Sequence, residues 1–171
     1  RSPGSRGSLV KTAILSASVE FIEQPFLHPL QLSSGLITKA TEARVAVTVR
    51  VGDREGTGHG SIYLSDLWAW PGTTPDREAK DAAMRALCEN IASDLLGFCG
   101  SEPAHPLELG LRLHHRISQP DEVPLLARAV CASPFDAAIH DAAGQALERS
   151  AFRLYDTDAP IPSADQWFSQ G

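Results

Sequence analysis

The stretch Ala43–Leu64, ARVAVTVRVGDREGTGHGSIYL, has the pattern of a β-hairpin on which the rest of a small fold can be built. In its first half, alanine and valine alternate with polar or small residues, so a strand over Ala43–Val51 would have one apolar face to bury. The segment Gly52–Gly56 is rich in the residues that turns favour. Thr57–Leu64 is then predicted to return as the next strand.

The glycine-rich run Gly56–Gly60 has the composition of a phosphate-binding loop, but the residues after it do not support that function. Such loops bind phosphate because the N-terminus of a helix follows and directs its amides at the anion. Here Ser61–Leu64 is typical of a strand. The glycines are better explained by a tight turn or by the close approach of another backbone.

Upstream of the hairpin we predict one more strand and then a long loop. The strand is expected over about Val10–Phe21. Pro25 and Pro29 follow it, and because prolines remove backbone donors, they predict a loop that continues to Gly35. Residues 1–8 have the composition of a flexible arm or an expression scar and are left out of the fold.

Downstream of the hairpin the pattern changes to that of helices. The first helix is predicted to begin with Thr74 as its N-cap and Pro75 at its first helical position, and to end at Gly97. Its apolar residues are spaced four apart and form the stripe Ala83, Leu87, Ile91 and Leu95. Three further apolar residues widen this stripe: Met84, Cys88 and Leu96.

Of the remaining segments, one is ambiguous and two are predicted to be helices. Pro106–Ile117 fits a strand and a helix equally well, because its leucines alternate and also share a helical face. A short helix is predicted near Pro124, and a separate helix with Ser133 as its N-cap and Pro134 at its first helical position. Helices on one face of a three-stranded sheet make an α+β domain.

Length, charge and cysteine content exclude several classes of protein. The 171 residues fit one domain, and 21 acidic against 15 basic residues give a net charge of -6, which repels nucleic acid. No apolar run approaches the roughly 18 residues of a membrane span. The cysteines match no metal-binding spacing and are predicted to be reduced and buried: Cys88, Cys99 and Cys131. We therefore expect a soluble cytoplasmic protein that binds neither nucleic acid nor membrane.

Two groups of polar residues have weak resemblance to catalytic or metal sites. Asp136, His140 and Asp141 lie on one predicted helical turn, but Asp136 is better explained as a charge at a helix N-terminus and His140 as a polar contact between helices. The second group consists of His105, His114 and His115. No cysteine or carboxylate lies near them at the spacing of a metal-binding motif, so we expect them to form surface or interhelical hydrogen bonds. We predict neither a catalytic residue nor a metal site in this chain.

An aromatic group follows the hairpin and consists of Tyr63, Trp68 and Trp70. Two tryptophans in a loop expose a large apolar area unless something covers them. They either fill the core of this domain or contact another domain or a ligand.

Several motifs occur in a characteristic order: Pro25–Leu30, Ser33–Gly35, Arg44–Val49, Gly56–Gly60 and the helix Ser133–Leu147. In this order and spacing the chain resembles the N-terminal capping domain of the enolase superfamily, most closely its mandelate racemase and muconate lactonizing branch. The likeness covers about residues 9–156. It implies a three-stranded antiparallel β-meander packed on a helical bundle, with Pro106–Ile117 helical.

The resemblance also implies where the chemistry of such an enzyme lies. In that family, lysine or histidine bases on a following (β/α) barrel abstract a proton next to a carboxylate, and Mg²⁺ held by barrel carboxylates stabilises the enediolate. A barrel needs roughly 250 residues, which this chain does not contain. Residues 157–171 would then be a linker toward the barrel. The intact protein would be a homo-oligomeric dehydratase, racemase or cycloisomerase acting on an acid sugar or another small carboxylate.

Two capping loops are implied by the same resemblance, and their role is to exclude water and to shape substrate choice. The first spans about Phe26–Ile37 and the second follows Gly60. The residues expected to contact substrate are Leu30, Gln31, Ser33, Ser34, Tyr63 and Trp68. Packing of these residues against the barrel is an equal alternative.

A different class of function also fits the sequence. The same fold without a barrel could be a stand-alone protein-interaction module that uses Trp68 and Trp70 to bind a partner.

Overall fold

The computed structural model describes residues 10–32, 35–155 and 161, and these form a three-stranded antiparallel sheet with helices packed on one face. The strands are β1 (Thr12–Leu32), β2 (Gly35–Val51) and β3 (Arg54–Leu64), in that order across the sheet. The helices are α1 (Asp66–Ala69), α2 (Arg77–Ser93), α3 (Leu95–Cys99), α4 (Pro106–Ile117) and α5 (Leu125–Ala146), followed by a 3₁₀ turn at Ala151–Tyr155. The predicted α+β class and β-meander are confirmed.

The hairpin of β2 and β3 has the predicted alternation. The inward side chains of β2 are all buried: Ala43, Val45, Val47, Val49 and Val51. The predicted turn is too long, because Arg54 and Glu55 already pair with Val51 and Arg50. The connection is a two-residue turn, and its Gly52 has a φ of +64°, which a residue without a Cβ adopts easily.

The loop predicted at Pro25–Gly35 is wrong over its described part, because β1 and β2 continue there as a two-stranded ribbon. β1 was expected to end near Phe21 but runs to Leu32. Prolines are tolerated here because β1 is an edge strand, whose outward donors need no partner. Pro25 pairs with Lys39 and the next pair is Leu30–Ile37, so residues 26–29 bulge opposite a single residue of β2.

The glycines of β3 allow α5 to lie directly against the sheet. A Cβ added to Gly58 would overlap the backbone of Ala138 and Ala142, and one added to Gly56 would overlap the backbone of Ala142 and Ala146. The run Gly56–Gly60 is thus a strand and not a phosphate loop, and the close backbone approach inferred from its composition is confirmed.

α5 is one continuous helix of 22 residues, so the N-cap predicted at Ser133 is wrong. An interior proline removes a backbone hydrogen bond and costs about 3 kcal/mol or more. Here that cost is offset because apolar side chains on both sides of Pro134, such as Val130 and Phe135, are buried in the same core. Asp136 consequently lies in the middle of a helix, and its predicted place at a helix N-terminus is wrong.

α2 begins two residues later than predicted, because Asp76 and not Thr74 is its N-cap. The Asp76 carboxylate accepts a hydrogen bond of 2.9 Å from the Ala79 amide. The buried face of α2 consists of Lys80, Met84, Cys88 and Ile91, and its three apolar residues belong to the predicted stripe.

The prediction that α2 ends at Gly97 is also wrong, because a second aspartate caps a separate helix. The helix ends at Ser93, and the Asp94 carboxylate caps α3 by accepting a hydrogen bond of 3.1 Å from the Gly97 amide. Gly97 therefore lies inside α3, and Gly100 with a φ of +83° follows that helix.

α4 confirms the helical alternative for Pro106–Ile117. Its N-cap is His105, whose Nδ1 accepts a hydrogen bond of 3.1 Å from the Leu107 amide, while the Glu108 carboxylate accepts one from the His105 amide. These reciprocal bonds form a capping box. Local chemistry thus supports the helix that only the resemblance had favoured.

The cysteines are reduced and buried as predicted: Cys88, Cys99 and Cys131. Burial raises the pKa of the Cys99 thiol to about 12. Within the described ranges, no helix has the length and apolar character needed to cross a membrane.

Replacing Gly58 by alanine should destabilise the domain by about 1–3 kcal/mol or more, because the new methyl group overlaps the α5 backbone, which cannot move without repacking the core. Urea unfolding measures the change. The matched control is His59→Ala on the exposed face of the same strand, for which a change within about 0.5 kcal/mol is expected. A Gly58→Ala domain as stable as the wild type would contradict the close packing.

The unfolding free energy should fall as the pH is lowered from about 7 to about 5, and His105 should contribute to this loss. Burial lowers the pKa of His105 below its ordinary 6.5, so the unfolded chain takes up a proton before the folded one does. His105→Asn keeps a good N-cap but does not titrate. Urea unfolding across this range should show a shallower pH dependence for the variant, and equal slopes would contradict the role assigned to His105.

Candidate functional site

A groove of about 880 Å³ lies between the β1–β2 ribbon and the helices α1 and α2. Phe26, Leu30 and Leu36 of the ribbon form one apolar wall, and Tyr63 and Trp68 form the other. Residues of both segments that are expected to cap an active site line this groove.

Three of the predicted contact residues line this groove together: Leu30, Tyr63 and Trp68. Their exposed fractions are 47%, 52% and 55%, which is high for large apolar side chains of a folded domain. Gln31 is exposed on β1 and is not part of the groove wall. Ser33 and Ser34 lie outside the described residues. Contact of any of these residues with a substrate stays a prediction.

Sequence reasoning missed two residues of the apolar wall, Phe26 and Leu36. Both are exposed and line the groove. The bulge also leaves Leu27 96% exposed. A sequence interpreted as a loop contains no signal for these positions, since only strand pairing determines which side chains share a face.

The two tryptophans have different environments. Trp70 packs against the core, and Trp68 is exposed at the groove. The buried Lys80 ammonium of α2 donates a hydrogen bond of 2.6 Å to the Gly72 carbonyl. This bond ties the segment that follows Trp70 to α2. The core interpretation of the aromatic group applies to Trp70, and contact of the exposed Trp68 with another domain or a ligand stays a prediction.

A polar network braces the base of the ribbon against α2. The Arg85 guanidinium lies 2.6 Å from the Asp81 carboxylate and 3.7 Å from that of Glu23, and donates a hydrogen bond of 2.8 Å to the Thr41 hydroxyl. It also lies 5.1 Å from the ring centroid of Phe21, within the range of a cation–π contact. The wall that bears Phe26 and Leu30 is therefore anchored to a helix.

Further ion pairs lie along the groove. Lys39 Nζ lies 2.7 Å from the Glu23 carboxylate, and Arg77 lies 3.2 Å from that of Asp66. Every lysine and arginine that lines the groove in the described ranges thus has an acidic partner.

Two of the histidines predicted to make polar contacts have different outcomes. His140 Nδ1 lies 2.8 Å from the Asp136 carbonyl of its own helix, so this hydrogen bond is not the predicted contact between helices. His114 of α4 makes an interhelical polar contact as predicted, with 3.7 Å between its Nε2 and the Asp136 carboxylate. Tyr155 stacks on His140, and burial with the nearby Asp136 charge raises the pKa of Tyr155 to about 12.

Magnesium, which the sequence resemblance implied for the intact enzyme, does not fit the described part of this chain. Mg²⁺ is usually bound through carboxylates and water. The groove carboxylates of Glu23, Asp66 and Asp81 each pair with a base. Residues 10–32 and 35–155 contain no group of three or more histidine, cysteine or acidic side chains able to hold a metal ion.

Solved structures of larger enzymes have the same fold as this chain. One is an enolase from Bradyrhizobium complexed with magnesium and mandelic acid, with a TM-score of 0.55 and 22% sequence identity over 86% of this chain and 35% of that one. Another is a dipeptide epimerase from Enterococcus faecalis complexed with Mg and the dipeptide L-Leu-L-Tyr, with a TM-score of 0.50 and 15% identity over 85% of this chain and 35% of that one. The chain spans about a third of the length of these enzymes.

At these identities the comparison establishes the fold alone. It confirms at that level the resemblance to enolase-superfamily enzymes that the sequence motifs indicated. Neither a protein-family model nor a curated protein matches the sequence.

Proposed function

We propose that this chain is the N-terminal capping domain of an enolase-superfamily enzyme that abstracts a proton next to a carboxylate. The observation that carries the proposal is the groove, because the ribbon and the segment after β3 meet there with exposed apolar walls. The coverage of about a third of two larger enzymes supports a further domain in the same polypeptide. That domain would be the (β/α) barrel, and it would hold the base and the Mg²⁺.

The ligands of the two similar enzymes support a small carboxylate as the substrate. Mandelic acid and a dipeptide both have a carboxylate with a hydrogen on the adjacent carbon. Abstraction of that proton produces an enediolate, whose charge needs a metal ion for stabilisation. Mg²⁺ would supply this chemistry from the barrel. The intact enzyme would be a dehydratase, racemase or cycloisomerase and a homo-oligomer.

The residues of this chain would bind and shield the substrate without taking part in proton transfer. Leu30, Tyr63 and Trp68 would cover the part of the substrate that faces away from the barrel. Closing an apolar wall over a reacting centre expels water and strengthens the electrostatic interactions inside. Differences in this wall would change which substrates fit.

The mass of the intact protein expressed from its complete gene tests the proposal first. A domain of this size plus a barrel predicts roughly 40–50 kDa. The protein should then exchange the proton next to a carboxylate for deuterium in a reaction that needs Mg²⁺. An intact mass near the 18.3 kDa of this chain would contradict the proposal.

Replacing Trp68 by alanine in the intact enzyme should lower kcat/KM by about tenfold or more, because the substrate could no longer bury its apolar surface against the indole ring. Steady-state kinetics of deuterium exchange measures the effect. Leu96→Ala is the matched control, because Leu96 is a similarly exposed apolar residue of α3 outside the groove. Equal effects of the two substitutions would show that Trp68 has no special contact with substrate.

A stand-alone protein-interaction module is the second candidate function. The exposed apolar wall around Trp68 favours it, since contiguous exposed apolar surface marks a site of interaction. An intact mass near 18.3 kDa, with a partner that shields Trp68 in the complex, would support this function over the first.

A further inference from the structure

We infer that the group which the substrate presents to the capping domain is apolar and uncharged, aromatic or branched aliphatic, and that the substrate is not a polyhydroxylated acid sugar. The inference rests on the proposed function and narrows it from small carboxylates in general to one chemical class.

The apolar wall is the first observation. Five large apolar or aromatic side chains from four separate elements converge on the groove: Phe26, Leu30, Leu36, Tyr63 and Trp68. Each is more than a third exposed in this domain. Contact with an apolar group would remove both surfaces from water, which is the main favourable contribution to such binding.

The supply of hydrogen-bonding groups is the second observation. The described residues place five uncharged polar side chains along the groove, and two of them are already engaged. Gln24 donates to Glu42 at 2.9 Å, and the Thr41 hydroxyl accepts from Arg85 at 2.8 Å. Thr38, Ser65 and the hydroxyl of Tyr63 are the other three. Of the charged side chains there, Glu23 pairs with Lys39 and Asp66 pairs with Arg77. An acid sugar has four or more hydroxyls, and those that could not compete for these engaged groups would each lose the hydrogen bonds they make with water.

The charge of the groove is the third observation. Among the described residues, its lining contains four carboxylates, Glu23, Asp66, Glu78 and Asp81, against two bases. Both bases are within 3.2 Å of a carboxylate, Lys39 beside Glu23 and Arg77 beside Asp66. A negative group on this end of the substrate would meet a net negative surface, so the carboxylate next to the reacting carbon must face the barrel.

Turnover by the intact protein with Mg²⁺ in D₂O tests the class of substrate, and proton NMR follows it either as deuterium exchange next to the carboxylate or as loss of water to give a keto acid. The apolar probes are mandelate and L-Leu-L-Tyr, and the hydroxylated probes are D-gluconate and D-galactarate. We expect kcat/KM to be at least tenfold higher for one or both apolar probes than for either acid sugar. Faster exchange or dehydration of an acid sugar would overturn the inference and leave the proposed function standing.

Absence of turnover of all four acids would overturn the inference as well. In that case the intact mass decides separately whether the barrel, and with it the proposed function, exists.

A charge variant tests the groove directly. Asp66→Asn leaves Arg77 without its partner, so D-galactarate should inhibit exchange of the better apolar probe at a several-fold lower concentration than it does in the wild type. The control is Asp53→Asn, which removes an equal charge from the exposed turn after β2. Equal inhibition in the two variants would contradict the assignment of the groove to the substrate.

Discussion

The close contact between the glycines of β3 and the backbone of α5 is the constraint on which the rest of this structure depends. Gly56 and Gly58 place the strand against the backbone of an alanine-rich helix, so α5 lies closer to the sheet than any layer of larger residues would allow. The Asp141 carboxylate accepts a hydrogen bond of 2.9 Å from the His59 amide and thereby covers the edge of β3. α4 packs against α5, so its place is determined by the same contact.

The two walls of the groove are positioned by different contacts. One wall depends on the contact between β3 and α5, and the other depends on the contact between the ribbon and α2. β3 ends at Leu64 and α1 begins at Asp66, so a single residue connects the strand that contacts α5 to the helix that bears Trp68. The opposite wall belongs to the ribbon, which Arg85 fixes to α2. Both walls are therefore positioned by packed elements, although each lies at the margin of the core.

Some of this could be predicted from the sequence and some could not. The alternation in β2 needs no knowledge of its neighbours, and it was predicted correctly. The extended strand through Pro25 was missed, because tolerance for proline depends on whether a strand lies at an edge, and local sequence does not contain strand order. Thr74 was predicted as the N-cap of α2 because Pro75 follows it, but the carboxylate that caps the helix is that of Asp76. Ser133 had every local sign of a helix start, but burial on both sides of Pro134 keeps α5 continuous. The groove itself needed the register of the ribbon.

The bulge at residues 26–29 has a consequence for how this domain diversifies. The bulge lies between the pairs Pro25–Lys39 and Leu30–Ile37. A change in the number of residues in the bulge therefore leaves the register of the strands below Pro25 unchanged. Insertions and deletions at this point would reshape the mouth of the groove without disturbing the core. The segment is therefore a natural graft site, at which new recognition sequences can be introduced while the scaffold is retained.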